Sequence, residues 1–263
     1  MRREEVLDLL MEASEPEYKA FNDRITNCTT AESIGVRMPG IRRIAGMIVK
    51  QGWEEFLDEM ESLWKTGIAP SGLYQEEHML HGIVIGGARM SEADRVRRLN
   101  GWIPGILSWA DCDSSVSGFK FMKKNQEFWY DYNVKWLKSR SEFELRYAIV
   151  SLMQYFVNDT YIDRVLEIFA SSLTENGEAG SDKEKLSAGS YYVRMAQAWA
   201  ISVCFIKYRD KTEKLLKEQR MDPWIQNKAI QKCRESYRVS KEDKTLLQTL
   251  KMEHGTQRRQ DTV

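Results

Sequence analysis

Cysteine is scarce in this chain of 263 residues and never clustered. Cys28, Cys112, Cys204 and Cys233 stand far apart, and none forms a C-x-x-C pair. A disulfide frame and a zinc cluster are thereby excluded, and reduced thiols are expected. Histidine is scarcer still, with three residues. His78 and His81 are three apart beside Glu76 and Glu77, whereas a zincin places two His four apart with Glu directly after the first. They read as a polar helix edge with one packed imidazole. His254 has no partner, and no metal is expected. No P-loop, nucleophile elbow or dinucleotide fingerprint occurs. No apolar run approaches the ~18 residues of a membrane span. Met1-Arg2-Arg3-Glu4-Glu5 leads straight into an amphipathic segment, so no secretory leader is expected and the location is read as cytoplasmic.

Net charge is absent too. Lys+Arg and Asp+Glu both number 39. A neutral chain is not a generic polycation that coats nucleic acid or anionic membrane. The balance is uneven, however: residues 1–70 carry a net −4, residues 71–190 a net −3 and residues 191–263 a net +7. A basic last quarter can still dock on a polyanion through one face.

What the chain has in abundance is helical periodicity. With 42% hydrophobic and 30% charged residues it can bury a core. Val6, Leu7, Leu9 and Leu10 sit at helical spacing. Pro39 suits the first turn of a helix carrying Ile41, Ile44, Ala45 and Ile48. Trp53, Phe56, Leu57, Met60, Leu63 and Trp64 form an i, i+3, i+4 stripe. Similar stripes recur over 73–90, 92–108, 115–124, 126–138, 142–156, 160–173, 190–208, 211–219, 223–237 and 241–251. Strand alternation is missing and only five prolines interrupt. The expected fold is all-α, about a dozen antiparallel helices in pairs of 35–45 residues. That is the size class of HEAT-like repeats stacked into an α-solenoid with a concave face. One domain over 1–255 is expected, with an exposed loop at Glu175 to Ser181 and a polar tail at 256–263.

One segment stands out for chemistry, Ser108-Trp109-Ala110-Asp111-Cys112-Asp113-Ser114-Ser115. In the plain reading Asp111 or Asp113 caps a helix starting near Ser114, and Trp109 is core. In the functional reading a carboxylate beside an aromatic face stabilises a developing cation. Arg146, Arg194, Trp199 and the basic stretch Asn227 to Arg238, with Lys228 and Lys232 on one face, are further candidates. Each also fits a solvated face, an ion pair or core packing.

Taken in order, these segments resemble the AlkD-type DNA alkylation repair proteins, a HEAT-like repeat family of DNA glycosylases. The matching pieces are Ile34 to Arg42, Tyr74 to His78, Trp109-x-x-x-Asp113, Leu145 to Ile149, Tyr191 to Trp199, and Asn227 to Arg238 with Lys251 after it. The resemblance implies excision of cationic alkylated purines, such as 3-methyladenine and 7-methylguanine, from duplex DNA by a monomer, without metal or other cofactor. It implies that Asp113 promotes cleavage of the N-glycosidic bond and that Trp109 and Trp199 lie against the damaged nucleotide. It places Arg146 on the DNA backbone, with Arg194, Lys228, Lys232 and Arg238 as further DNA contacts. Two departures are visible. Ser202 stands one turn after Trp199, where the family often has Arg. Residues 25–33, a region where active members place a DNA-facing helix, are polar and hold no basic residue. The rival expectations are a catalytically weak or inactive DNA-binding paralogue and a protein-binding scaffold.

Overall fold

The computed structural model describes residues 1–26, 28, 30–173 and 191–253. The loop expected at Glu175 to Ser181, His254 and the tail at 256–263 lie outside the described residues. Among the described residues there are fourteen α-helices, two short 3₁₀ segments and no strand. The chain divides into two compact units, Met1–Tyr155 and Phe156–Val263.

The first unit holds α1 (Arg3–Glu12), α2 (Pro16–Thr26), α3 (Met38–Gln51), α4 (Trp53–Lys65), α5 (Gln75–Gly87), α6 (Glu92–Trp102), α7 (Trp109–Val116), α8 (Gln126–Trp136) and α9 (Glu142–Tyr155). Every second helix packs on the next: α3 on α5, α5 on α7, α7 on α9. Helices α4, α6 and α8 lie against α5, α5 and α9 respectively. This alternation explains the composition of the helices. α5 and α9 have neighbours on several sides and are buried along nearly their whole lengths. α3 and α4 bury one stripe each, Ile41, Ile44, Ala45 and Ile48 in one and Phe56, Leu57 and Met60 in the other. Pro39 does sit in the first turn of α3.

The second unit holds α10 (Ile162–Ala170), α11 (Tyr191–Lys207), α12 (Arg209–Glu218), α13 (Pro223–Glu235) and α14 (Lys241–Thr249). α11 is its hub and packs on α10, α12 and α13. Its buried face runs Val193, Ala196, Gln197, Ala200, Ile201, Cys204 and Phe205. The expected helix over Asn227 to Arg238 stops at Glu235, with Ser236 at its C-cap. Arg238 therefore lies beyond the helix and does not share a helical face with Arg234.

Gly82 makes the approach of α5 to α7 possible. A Cβ built there would overlap the Ser115 hydroxyl and the Trp102 indole. Both are short or rigid groups in a packed core, so neither can swing aside. Gly82→Ala is expected to cost about 1–3 kcal/mol of stability. The sign of it would be a lower urea midpoint with an unchanged slope.

The two histidines of α5 depart from the sequence reading. Both are core residues, His78 2% and His81 1% exposed, and neither forms a polar edge. His78 meets Trp64 edge-on, with ring centroids 5.6 Å apart. Neither nitrogen of His81 has a hydrogen-bond partner, nor does Nε2 of His78. Burial pushes their pKa values down, to about 4 for His78 and about 3 for His81. The folded state thus refuses protons that the unfolded chain takes up below pH ~6.5, so stability falls as pH drops from there. Each such histidine costs about 1.4 kcal/mol per pH unit. His81→Leu should therefore gain about 2 kcal/mol on the parent between pH 7 and pH 5. Melting curves at the two pH values would show it, and equal shifts at both would refute the account.

Candidate active site

α7 begins five residues earlier than the sequence suggested. Ser108 is its N-cap: the hydroxyl accepts from the Asp111 N–H at 3.2 Å, and Asp111 Oδ2 accepts from the Ser108 N–H at 3.1 Å. This reciprocal box outweighs the capping signal near Ser114. Asp111 thus belongs to the start of the helix, though to a different helix start from the one expected. It is 1% exposed, and Oδ2 also takes the Leu107 N–H. Burial raises its pKa to about 7 despite these bonds. Its contribution to stability consequently declines as pH rises from the ordinary carboxylate range toward 7, opposite in sign to that of the histidines.

Asp113 caps nothing. It sits in the third quarter of α7, four residues after Trp109 and so on the same helical face. Its carboxylate meets the guanidinium of Arg146 from α9 in a two-pronged pair. Nε donates to Oδ1 at 3.0 Å and an Nη to Oδ2 at 2.7 Å. The Asp113 side chain keeps 19% of its surface open and that of Arg146 only 7%. Burial disfavours the Arg146 charge, but the bonds to Asp113 outweigh it and hold the guanidinium pKa above its ordinary value. Arg146 thus fixes the carboxylate, which stays partly open to solvent. Cys112, alongside, is fully buried, and burial pushes its thiol pKa up, so it is not a nucleophile.

Trp109 is half-buried rather than core. Its indole N–H donates to the carbonyl of Ile25, at the end of α2, at 3.3 Å. The polar stretch 25–33 is thus preceded by a helix whose last turn touches the candidate site. α2 carries Lys19 and Arg24 and leaves Phe21 and Ile25 exposed. On the other flank Arg42 of α3 donates to Ser117 at 3.2 Å, and Ser114 lies 3.6 Å from the Met38 sulfur.

The remaining candidates belong to the second unit. Trp199 is half-buried on α11, and its carbonyl accepts from Ser202 at 2.7 Å. The guanidinium of Arg194 binds Asp222 at 2.6 Å and covers the Trp224 ring at 4.6 Å. Asp222 also caps α13 through the N–H groups of Trp224 and Ile225. Lys228 donates to Gln231 at 2.9 Å and lies 5.9 Å from the Trp224 ring centre. Lys232 is half-buried on the same helix. Arg238 is exposed in the turn after it, 5.9 Å from the Tyr237 ring centre. The place of Trp224 beside the Arg194 and Lys228 cations was not read from the sequence. The spacing Trp224-x-x-x-Lys228 holds the signal, since residues four apart on a helix meet.

Among the described residues no group of three or more His, Cys, Asp or Glu is placed to hold a metal ion. Nor is any helix of the described residues long and apolar enough to cross a membrane. Comparison with curated proteins yields no match, and neither does comparison with solved structures. The sequence model of a family described as DNA alkylation repair enzyme, however, matches residues 6–233, a span that contains α2 to α12 whole and every candidate residue except Arg238. With a match over most of its length, the chain belongs to the DNA alkylation repair enzyme family.

Proposed function

We propose that the protein is a DNA glycosylase that releases cationic alkylated purines, such as 3-methyladenine and 7-methylguanine, from duplex DNA by hydrolysis of the N-glycosidic bond. It would act as a monomer on a HEAT-like solenoid frame, with water as the only co-reactant. The observation that carries this reading is the partly exposed Asp113 carboxylate, fixed by Arg146 and sharing a face of α7 with Trp109.

The chemistry follows from charge. An alkylated purine is already cationic and leaves as a neutral base, so protonating it is unnecessary. The bond that breaks leaves positive charge on the deoxyribose. Asp113 offers negative charge where that cation develops and can orient the attacking water through a lone pair that Arg146 does not use. The indole face of Trp109 favours an electron-poor base. In this reading Arg146 orients Asp113, and the cations of the second unit supply the phosphate contacts. Because the substrate is labile, deep extrusion of the base is not required.

Incubation with duplex DNA containing 7-methylguanine should release free base, measured by mass spectrometry. Release no faster than from DNA alone would overturn the proposal. It would favour the second reading, a DNA- or protein-binding relative without activity. One observation supports that alternative: the chain carries no net charge, and residues 25–33 hold no basic side chain.

A further inference from the structure

A cavity of about 350 Å³ opens at the C-terminal end of α5. Arg89 and Met90 follow that helix, and Arg95 comes from α6. Phe121 and Lys124 come from the 3₁₀ segment Lys120–Lys123 and the residue after it, and Trp129 from α8. The cavity shares no residue with the site of Trp109, Asp113 and Arg146.

Three cationic side chains are buried among the described residues, Arg95, Arg98 and Arg146. Arg98 is neutralised by Asp58 and Glu61, and Arg146 by Asp113. Arg95, 7% exposed, is paired with no carboxylate among the described residues. Its guanidinium instead closes the end of α5, donating to the carbonyls of Ile85 and Ala88. It also lies over the Phe121 ring, 4.2 Å from the ring centre. A guanidinium has five N–H groups, so two carbonyls do not exhaust it, and a helix C-terminus supplies only roughly half a negative charge. Burial accordingly lowers the pKa of Arg95, whereas the carboxylate beside Arg146 keeps that of its partner raised. A buried cation that is only partly neutralised is costly, and an anion that reaches it is held firmly.

The remaining walls select among anions. Arg89 and Lys124 are exposed and add positive charge. The one acid in the lining, Glu92, is also exposed and takes the Asn125 amide at 3.2 Å. Met90, Phe121 and Trp129 form an apolar wall, with the rings of Phe121 and Trp129 edge-on and their centres 4.8 Å apart. A planar carboxylate suits a guanidinium, and its single charge matches a single buried cation. Its apolar body covers the aromatic wall, which tetrahedral, strongly hydrated phosphate would leave bare.

We infer that this cavity binds a carboxylate attached to an apolar or aromatic body, with its oxygens on Arg95 and its body against Met90, Phe121 and Trp129. The carboxylate belongs either to a free organic acid or to the C-terminus of a polypeptide. The inference does not depend on the glycosylase reading.

Saturation-transfer NMR with the full chain and phenylacetate tests it, with phenylacetamide as the uncharged control. Phenylacetate should bind, and the amide at least about tenfold more weakly. Arg95→Lys keeps the charge but loses the planar fork, and should weaken binding about tenfold. R89Q/K124Q alters two exposed positions and should weaken it about three- to tenfold. A capped tripeptide that ends in phenylalanine with a free carboxylate separates the sources. Tighter binding than phenylacetate, lost on amidation, supports the inference with a polypeptide C-terminus as ligand; weaker binding supports it with a free acid. Equal binding of phenylacetate and its amide, or of neither, would overturn the inference. So would unchanged affinity in folded Arg95→Lys, or displacement of phenylacetate by an equal concentration of inorganic phosphate. If Arg95→Lys does not fold, R89Q/K124Q decides, and an affinity equal to the parent's would overturn the inference.

Discussion

Asp113→Asn is expected to slow release of 7-methylguanine by about 10²–10³-fold, the size of effect seen when one group aimed at developing charge is removed. The substitution keeps the shape but removes the negative charge and turns one acceptor oxygen into an NH₂ donor, so it separates electrostatic stabilisation from mere filling of space. It also leaves the Arg146 guanidinium buried without its counter-charge. Breaking a buried pair from one side typically costs about 3–5 kcal/mol. Asp113 retains 19% of its side-chain surface, which lets water share that cost. The melting temperature must therefore be read beside the rate. Arg146→Lys is the control. It keeps a cation opposite Asp113 but loses the two-pronged grip that sets the carboxylate plane. A smaller loss of rate with Lys than with Asn at position 113 would show that the charge of Asp113 acts on the substrate and that Arg146 acts through it. Equal rates in Asp113→Asn and the parent, with both folded, would remove Asp113 from the chemistry.

Element type was legible in the sequence because apolar spacing dictates it. Ile41, Ile44, Ala45 and Ile48 repeat at one turn, and the stripe is buried. Helix starts were less legible, since they depend on which of several capping residues wins. Ser108, Asp111, Asp113 and Ser114 all compete within seven residues, and only the reciprocal bonds of Ser108 and Asp111 decide for Trp109 as the first helical residue. The histidines show a further limit. A helix with neighbours on several sides has no polar edge, but α5 acquires those neighbours from α3 and α7, which are distant in sequence. The pairing of Asp113 with Arg146, 33 residues on, was out of reach for the same reason. Each was a candidate by type; that one is the other's partner is a property of how α7 packs on α9. The charge split was informative in a narrower way. Five cations of the last quarter, Arg194, Arg209, Lys211, Lys217 and Arg220, are held by carboxylates, and only Lys211 and Arg220 reach acids outside that quarter, so most of its surplus stays unneutralised among the described residues.

The second large effect concerns Glu76, a residue whose importance is structural. It is 2% exposed in the first turn of α5 and accepts three backbone N–H groups. Oε2 takes that of Ile34 at 2.8 Å, and Oε1 those of Gly35 at 2.8 Å and Val36 at 3.1 Å. The concave row of amides exists because Gly35 adopts φ +94°, a conformation that L side chains rarely adopt, and because a Cβ there would strike the Lys19 Cβ at 2.6 Å. The positive end of α5 adds to the field that holds the carboxylate. Beside it the Gln75 N–H and side-chain amide bind the carbonyls of Glu32 and Ala31 at 2.8 and 3.1 Å. Glu76 thus fastens the segment that leads into α3, and α3 carries the Met38 and Arg42 that border α7. Glu76→Ala strands three buried donors at about 1–3 kcal/mol each, a large fraction of the ~5–15 kcal/mol that holds a domain folded. Glu76→Gln keeps the volume but turns an amide NH₂ toward donors, so it should recover little. Gly35→Ala should lose stability by the same route, and the two losses should fall short of additive because both dismantle one cradle. Urea unfolding of the single and double variants checks this. Full additivity, or a Glu76→Ala midpoint equal to the parent's, would mean that the segment is held by packing alone and that the three amide bonds contribute nothing measurable.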